Sequence, residues 1–190
     1  MQVGILGGTF DPIHNGHLHI AEQAKDTFNL DHVILIPCFH PPHKKPHATA
    51  VDRFEMVKCA IKNHPTLSVS DLEMRRKGIS YTIDTLRSLK KENPDIEFFY
   101  IVGADAFSTF QTWREWKTIL TLTAIVVVSR EHELVTIKDA ELKKQVLLMQ
   151  SKPMLVSATS IRDAVKSGKK HIDGLPACVA SYIQEHHLYR

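Results

Sequence analysis

Apolar residues along this chain fall into short runs and helical stripes that alternate. Val3-Gly4-Ile5-Leu6 is a short apolar run stopped by Gly7-Gly8, the pattern of a buried strand ending in a tight turn. Over residues 15–28 the apolar positions Leu18, Ile20, Ala21, Ala24 and Phe28 recur at helical spacing. Val33-Ile34-Leu35-Ile36 is a second apolar run, closed by Pro37. Strand, glycine turn, helix and strand in that order predict a right-handed βαβ unit. Residues 37–50 hold four prolines and three histidines, which excludes helix and predicts a loop at the end of the second strand.

The alternation continues. Residues 51–63 predict a helix with Phe54, Val57, Ala60 and Ile61 on one face, and Leu67-Ser68-Val69 a brief strand. A helix over residues 82–91 exits at Pro94, and a strand over 98–102 meets Gly103. Residues 104–120 read as mostly helical, 124–128 as an apolar strand, 140–149 as helix and 154–156 as a last strand. Residues 160–165 predict a short helix capped by Ser160, with Asp163 completing an approximate capping box and Gly168 as the stop. A final helix spans residues 176–186 with Pro176 in its first turn. The pattern is weakest over residues 130–152. Strands and helices that alternate throughout predict an α/β fold, doubly wound and Rossmann-like, with a mainly parallel sheet and helices on both faces. No repeat or second domain is visible, so residues 1–190 read as a single domain.

Composition narrows the class. Hydrophobic residues at 43% and charged residues at 24% suit a folded globular chain rather than a disordered one. No apolar stretch approaches the ~20 residues of a membrane span, and the first residues lack the basic start of a signal peptide. Cys38, Cys59 and Cys178 are odd in number, far apart in sequence and free of any CxxC pattern. That argues against a disulfide framework or zinc ribbon and for a reducing, cytoplasmic setting. A formal charge of +3 is too small to imply nucleic acid.

In an open α/β sheet, ligands bind outside the carboxyl ends of the strands. Four unusual segments fall at such ends: residues 7–17, 37–44, 103–105 and 157–162. In the first, Gly7-Gly8 admits a phosphate close to the backbone, and the helix start that follows offers free amides and a positive dipole end. His14 and His17, three residues apart at that start, can both reach one anion. The spacing matches neither GxGxxG nor GxxxxGK. The competing reading is a plain turn followed by two surface histidines. In the last segment, hydroxyls, helix-start amides and Arg162 suit phosphate oxygens, although Ser and Thr before a helix are also ordinary caps. Asp105 after a strand and a glycine reads either as a ligand-binding carboxylate or as a helix cap. His40, His43 and His47 suggest a metal, but the prolines between them break any regular face and no carboxylate or cysteine completes a shell.

Gly7-Gly8-Thr9-Phe10-Asp11-Pro12 with His14-Asn15-Gly16-His17 resembles the signature of the nucleotidyltransferases related to class I aminoacyl-tRNA synthetases. Pro41-Pro42-His43-Lys44, Gly103-Ala104-Asp105, Trp113 and Ser157-Ala158-Thr159-Ser160-Ile161-Arg162 narrow the resemblance to the bacterial nicotinate-nucleotide adenylyltransferases. Leu175-Pro176 and the closing Leu188-Tyr189-Arg190 also look like that family, and the resemblance spans nearly the whole chain, with residues 131–153 as its weak stretch.

The resemblance implies adenylyl transfer from ATP to nicotinate mononucleotide, giving deamido-NAD and pyrophosphate by direct attack of the mononucleotide phosphate on the α-phosphate. It implies His17 as the chief stabiliser of that phosphate, with His14 and Arg162 as further catalytic residues. The implied ATP site adds Gly7, Gly8, Thr9, Phe10, Gly103, Asp105, Ser157, Thr159 and Ser160. The implied mononucleotide site holds His43, Lys44, Thr82, Trp113 and Arg130. Mg²⁺ is expected to travel with ATP, without a protein cage, and the histidines are expected to be protonated beside so many anionic oxygens. Neither nucleic acid nor membrane is an expected partner. Two departures concern the acceptor: Cys38 where relatives commonly carry Asn, and Arg114 where many carry Tyr. An arginine there suggests a preference for the pyridine carboxylate over the amide. Nicotinamide mononucleotide or phosphopantetheine as acceptor, CTP as donor, and a non-catalytic nucleotide sensor are the alternatives. The Pro-Pro-His-Lys loop and Trp113 argue against phosphopantetheine and CTP.

Overall fold

The computed structural model describes residues 1–130, 135–137, 139–152, 154–169 and 171–190. In chain order its elements are β1 (Gln2–Gly8), α1 (Asn15–Thr27), β2 (His32–Pro37), α2 (Ala50–Ala60), β3 (Leu67–Val69), α3 (Leu72–Arg76), α4 (Thr82–Glu92) and β4 (Glu97–Gly103). There follow α5 (Ala104–Phe107), a 3₁₀ turn at Phe110–Thr112, α6 (Trp116–Leu122), β5 (Ala124–Arg130), α7 (Ala140–Lys144), β6 (Val146–Ser151), α8 (Ala158–Lys166) and α9 (Ala177–Glu185).

The strands form one six-stranded sheet in the order β3-β2-β1-β4-β5-β6, with every pairing parallel. The sheet is apolar on both faces because residues of alternating parity turn to opposite sides. Phe98, Tyr100, Val102, Ile125 and Val127 pack beneath α3, α4, α5, α6 and α7. Phe99, Ile101, Val126 and Val128 pack beneath α1, α2 and α9. Removing side chains of this size from water stabilises the fold by roughly 1.5–3 kcal/mol each. The chain winds outward from β1 in one direction and from β4 in the other, so a crevice opens between their carboxyl ends at Gly8 and Gly103. No helix among the described residues is long and apolar enough to cross a membrane.

The structure corrects the sequence reading at several places. Gly7 and Gly8 are not the turn; they are the last residues of β1, in register with Ile36 and Pro37. The chain turns after them, with Phe10 at φ 49°. The 104–120 helix is broken twice, by extended Trp113 and by Glu115 at φ 53°. The 140–149 helix stops at Lys144, and the last strand is Val146–Ser151 rather than residues 154–156. The capping residue of α8 is Ser157, not Ser160; each of these serines accepts the other's backbone amide at 3.1 Å. Gly168, at φ 75°, follows α8 as expected. Residues 131–134, 138 and 153 of the weak stretch lie outside the described residues.

Two buried charged side chains tie the carboxyl-end loops together. Arg53 of α2, only 1% exposed, donates to the carbonyls of Thr9 at 2.7 Å, Phe39 at 3.1 Å and Ala48 at 3.4 Å. The Asp11 carboxylate accepts the backbone amides of His47 at 2.7 Å and Ala48 at 3.0 Å, and the Tyr189 hydroxyl at 2.8 Å. On the same side of the sheet α9 packs along α2. The Tyr182 hydroxyl donates to Asp52 at 3.1 Å, and the sulfurs of Cys59 and Cys178, remote in sequence, lie 2.6 Å apart.

Arg53→Met should lower the free energy of unfolding by about 3 kcal/mol, because it leaves three buried carbonyls without a donor and Asp11 without a nearby cation. Urea denaturation measures this; a loss below about 1 kcal/mol would show that the loops hold without the guanidinium.

Candidate active site

A cleft of about 880 Å³ occupies the crevice at the carboxyl ends of β1, β4 and β5. Its walls bring together Gly7, His14, His17, Gly103, Asp105, Trp113, Arg130 and Ser157, all of them anticipated from sequence. Gly8, Thr9, Phe10, Thr82, Thr159, Ser160 and Arg162 do not line the cleft, and His43 and Lys44 lie exposed on the loop after β2. Tyr100, His19 and Lys152 also line the cleft and were missed. Tyr100 reads as one more apolar strand residue, and Lys152 follows an edge strand that the sequence pattern did not reveal.

Close approach explains the glycines of β1. A Cβ on Gly7 would sit 2.9 Å from the Tyr100 hydroxyl, and one on Gly8 would sit 2.9 Å from the Phe10 ring. Phe10 is buried and meets the His17 ring edge-on at 5.0 Å. Its role is therefore to back the histidine. Thr9 contributes its carbonyl to Arg53.

His14 is the extended N-cap residue of α1, and His17 lies one turn into the helix. Their rings stack with centroids 3.8 Å apart. The His14 backbone amide donates to His17 Nδ1 at 3.2 Å. A neutral His17 therefore carries its proton on Nε2. His14 Nδ1 is buried without a protein partner. Burial lowers the His14 pKa to about 4. Burial also holds His17 well below the usual imidazole range, helped by the neighbouring charges of His14 and Lys44. The expectation of protonated imidazoles thus needs the anion to be present. Without it, burial keeps the pair neutral near pH 7.

The second wall is α8. Ser157 caps it through the reciprocal serine pair, so the ordinary capping role is real, and Ser157 and Ala158 also line the cleft. Arg162 reaches back across the site, donating to the Asp11 carbonyl at 2.8 Å and to the Thr159 hydroxyl at 3.1 Å. The amino ends of α1 and α8 both border the cleft, each with a positive dipole end, although the Asn15, His17 and Ser160 amides already have partners within the protein.

Gly103, not Asp105, is the cap of α5. Asp105 folds over it and accepts the Ala106 amide at 2.8 Å; a Cβ on Gly103 would lie 2.7 Å from that carboxylate. Trp113 is half-buried against Tyr100 and Phe110. Thr82, at the start of α4, shares a 3.3 Å hydrogen bond with the Tyr100 hydroxyl.

A cytidylyltransferase-like family model matches residues 5–164. The "Probable nicotinate-nucleotide adenylyltransferase" of Desulfitobacterium hafniense (strain DSM 10664 / DCB-2) is 43% identical, across 100% of this chain and 96% of its own. A protein of the same description from Citrifermentans bemidjiense is 39% identical across 100% of this chain and 98% of its own. The chain belongs to the nicotinate-nucleotide adenylyltransferases of the cytidylyltransferase-like family.

Among solved structures, Plasmodium falciparum nicotinic acid mononucleotide adenylyltransferase complexed with NaAD superposes with a TM-score of 0.78. It covers 99% of this adenylyltransferase and 97% of its own chain at 21% identity, a likeness of fold. The same protein complexed with APC gives a TM-score of 0.74 at 20% identity, covering 99% and 96%.

The two departures of this adenylyltransferase have structural settings. Burial, then the charge of Glu73, pushes the Cys38 thiol up to about 12, so Cys38 stays protonated. Arg114 does not line the cleft. It lies 3.7 Å from Asp84, 3.9 Å from Glu115 and over the Tyr81 ring, with its charge engaged outside the cleft.

The histidine pair makes stability depend on pH. The His14 pKa is lowered on folding, so the unfolded chain binds the extra proton more readily as pH falls. Its contribution is present above pH 6.5 and lost on acidification to about pH 4, an effect of at most about 3 kcal/mol. Urea unfolding across that range should show a shallower loss for His14→Asn than for wild type. Equal slopes would assign the titration to other groups.

Proposed function

We infer that the protein transfers the adenylyl group of ATP to nicotinate mononucleotide, releasing pyrophosphate and forming deamido-NAD for NAD biosynthesis. The observation that carries the reading is the stacked His14–His17 pair at the start of α1, facing the amino end of α8 across the crevice. The full-length similarity to proteins described as nicotinate-nucleotide adenylyltransferases supports it.

The mononucleotide phosphate is already an anionic nucleophile, so the site needs no general base. One of its oxygens bonds to the α-phosphorus of ATP, and the bond to the β-phosphate oxygen breaks with its electron pair leaving on pyrophosphate. The protein's work is alignment and charge stabilisation. His17 presents Nε2–H to the α-phosphate, and its proton affinity rises as the triphosphate fills the desolvated pocket. His14 and the amides of both helix ends hold the phosphate oxygens, with Ser157, Thr159, Ser160 and Arg162 on the far side. Gly103 and Asp105 hold the ribose hydroxyls. Trp113 gives its ring face to the pyridine. Thr82 and Arg130 bind the rest of the mononucleotide, and His43 and Lys44 reach the phosphates from the proline-rich loop.

Mg²⁺ enters as part of the Mg–ATP substrate. Asp11 already accepts three donors, and Asp105, the carboxylate in the cleft wall, accepts the Ala106 amide. The phosphates would supply most of the ion's ligands, as they usually do for magnesium bound to a triphosphate. A cytoplasmic enzyme drawing on free nucleotide pools fits this chemistry.

Pyrophosphate release with Mg–ATP should be strong with nicotinate mononucleotide and weak with nicotinamide mononucleotide or phosphopantetheine. Preference for another acceptor would overturn the acceptor assignment and spare the ATP site, whereas ATP binding without turnover would indicate a sensor. His17→Ala should lower kcat by about 10²–10³-fold with little change in ATP affinity, because its charge acts where charge develops. Trp113→Ala should raise the KM for the mononucleotide selectively; equal loss for both substrates would show that the ring serves only the core.

A further inference from the structure

We propose that Cys59 and Cys178 form a thiol pair that small-molecule disulfides convert to an intramolecular disulfide joining α2 to α9. Both cysteines are free, and their sulfurs lie 2.6 Å apart, about half an ångström beyond the covalent separation of about 2.05 Å. The two sulfurs are therefore already in position for attack of one on the other. Access is unequal: Cys178 is exposed and Cys59 is half-buried.

The roles follow from access. Cys178 attacks one sulfur of the reagent disulfide and expels the first thiolate. Cys59 then attacks the Cys178 sulfur, expelling the second, so Cys178 is linked to Cys59 and the reagent ends as two thiols. The protein loses two hydrogens and two electrons, and the reagent gains them. Burial and the nearby Cys178 push the Cys59 thiol up to about 12, which leaves first contact with the reagent to Cys178. Cys38 takes no part, because it lies just after β2 beside Glu73 and is partner to neither sulfur.

The pair joins the last turn of α2 to the first turn of α9. The amides just before α2 bond to Asp11 at the cleft end, and the helix then runs back to Cys59. From Cys178, α9 returns toward Tyr189, whose hydroxyl is on Asp11. A bond at Cys59–Cys178 would fasten the far end of the helix whose near end the tyrosine already secures.

The test is oxidised glutathione on the full-length enzyme, read by intact mass, tryptic mapping and thermal unfolding. Wild type should lose two hydrogens, yield a linked pair of peptides covering residues 59–62 and 171–190, and gain roughly 10 °C in Tm, all reversed by dithiothreitol. Cys59→Ser should instead trap glutathione on Cys178, and Cys178→Ser should not react. A persistent glutathione adduct on the wild type, a disulfide-linked dimer, or unchanged mass would each overturn the proposal.

Discussion

The carboxylate of Asp11 is the constraint on which the site depends. Buried beneath the loop after β1, it takes amides from the loop after β2 and a hydroxyl from the last turn of the chain, while its own carbonyl takes Arg162. A buried carboxylate is tolerated only when its lone pairs are filled, so these segments cannot drift independently. Arg53 meets the same demand with opposite sign, filling carbonyls of the same two loops. Their attraction across a desolvated space holds the backbone of the loop after β1 in place.

Against this rigid frame the histidine pair is electrically quiet. Two stacked imidazoles shielded from water repel a second proton, and only an anion in the cleft offsets that cost. Phe10 sharpens the effect by closing one side of His17. The two kinds of charge are thus separated: permanent ones brace the loops, and titratable ones line the cleft.

Much of this was legible in sequence, for identifiable reasons. β1, α1 and β2 announce themselves because strands covered on both faces are continuous apolar runs and α1 carries a clear stripe. Seven of the eight cleft residues named in advance lie at strand ends or helix starts, where glycine, histidine and serine are conspicuous, and Trp113, after the 3₁₀ turn, came from the resemblance alone. The edge strand β6 was not legible: Leu148 and Gln150 are exposed on it, and a short half-covered apolar run suits helix or strand equally. The break at Glu115 was hidden because a left-handed glutamate leaves no mark on composition. Short α3 lacks a full helical period. The Asp11 and Arg53 network was invisible, since its partners are mostly backbone atoms brought together by tertiary folding. Cys59 and Cys178 were separated by sequence distance alone.

Tyr189 and Asp11 are separated by 178 positions along the chain. Protein synthesis proceeds from the amino end, so the segment bearing His14 and His17 leaves the ribosome long before the tyrosine that completes its support. Nearly the whole sheet can assemble while this one bond waits. The loop that carries Asp11 therefore gains this donor only after the 177 residues between them have been made, and a ribosome that stalls before residue 189 would leave the buried carboxylate one hydrogen bond short.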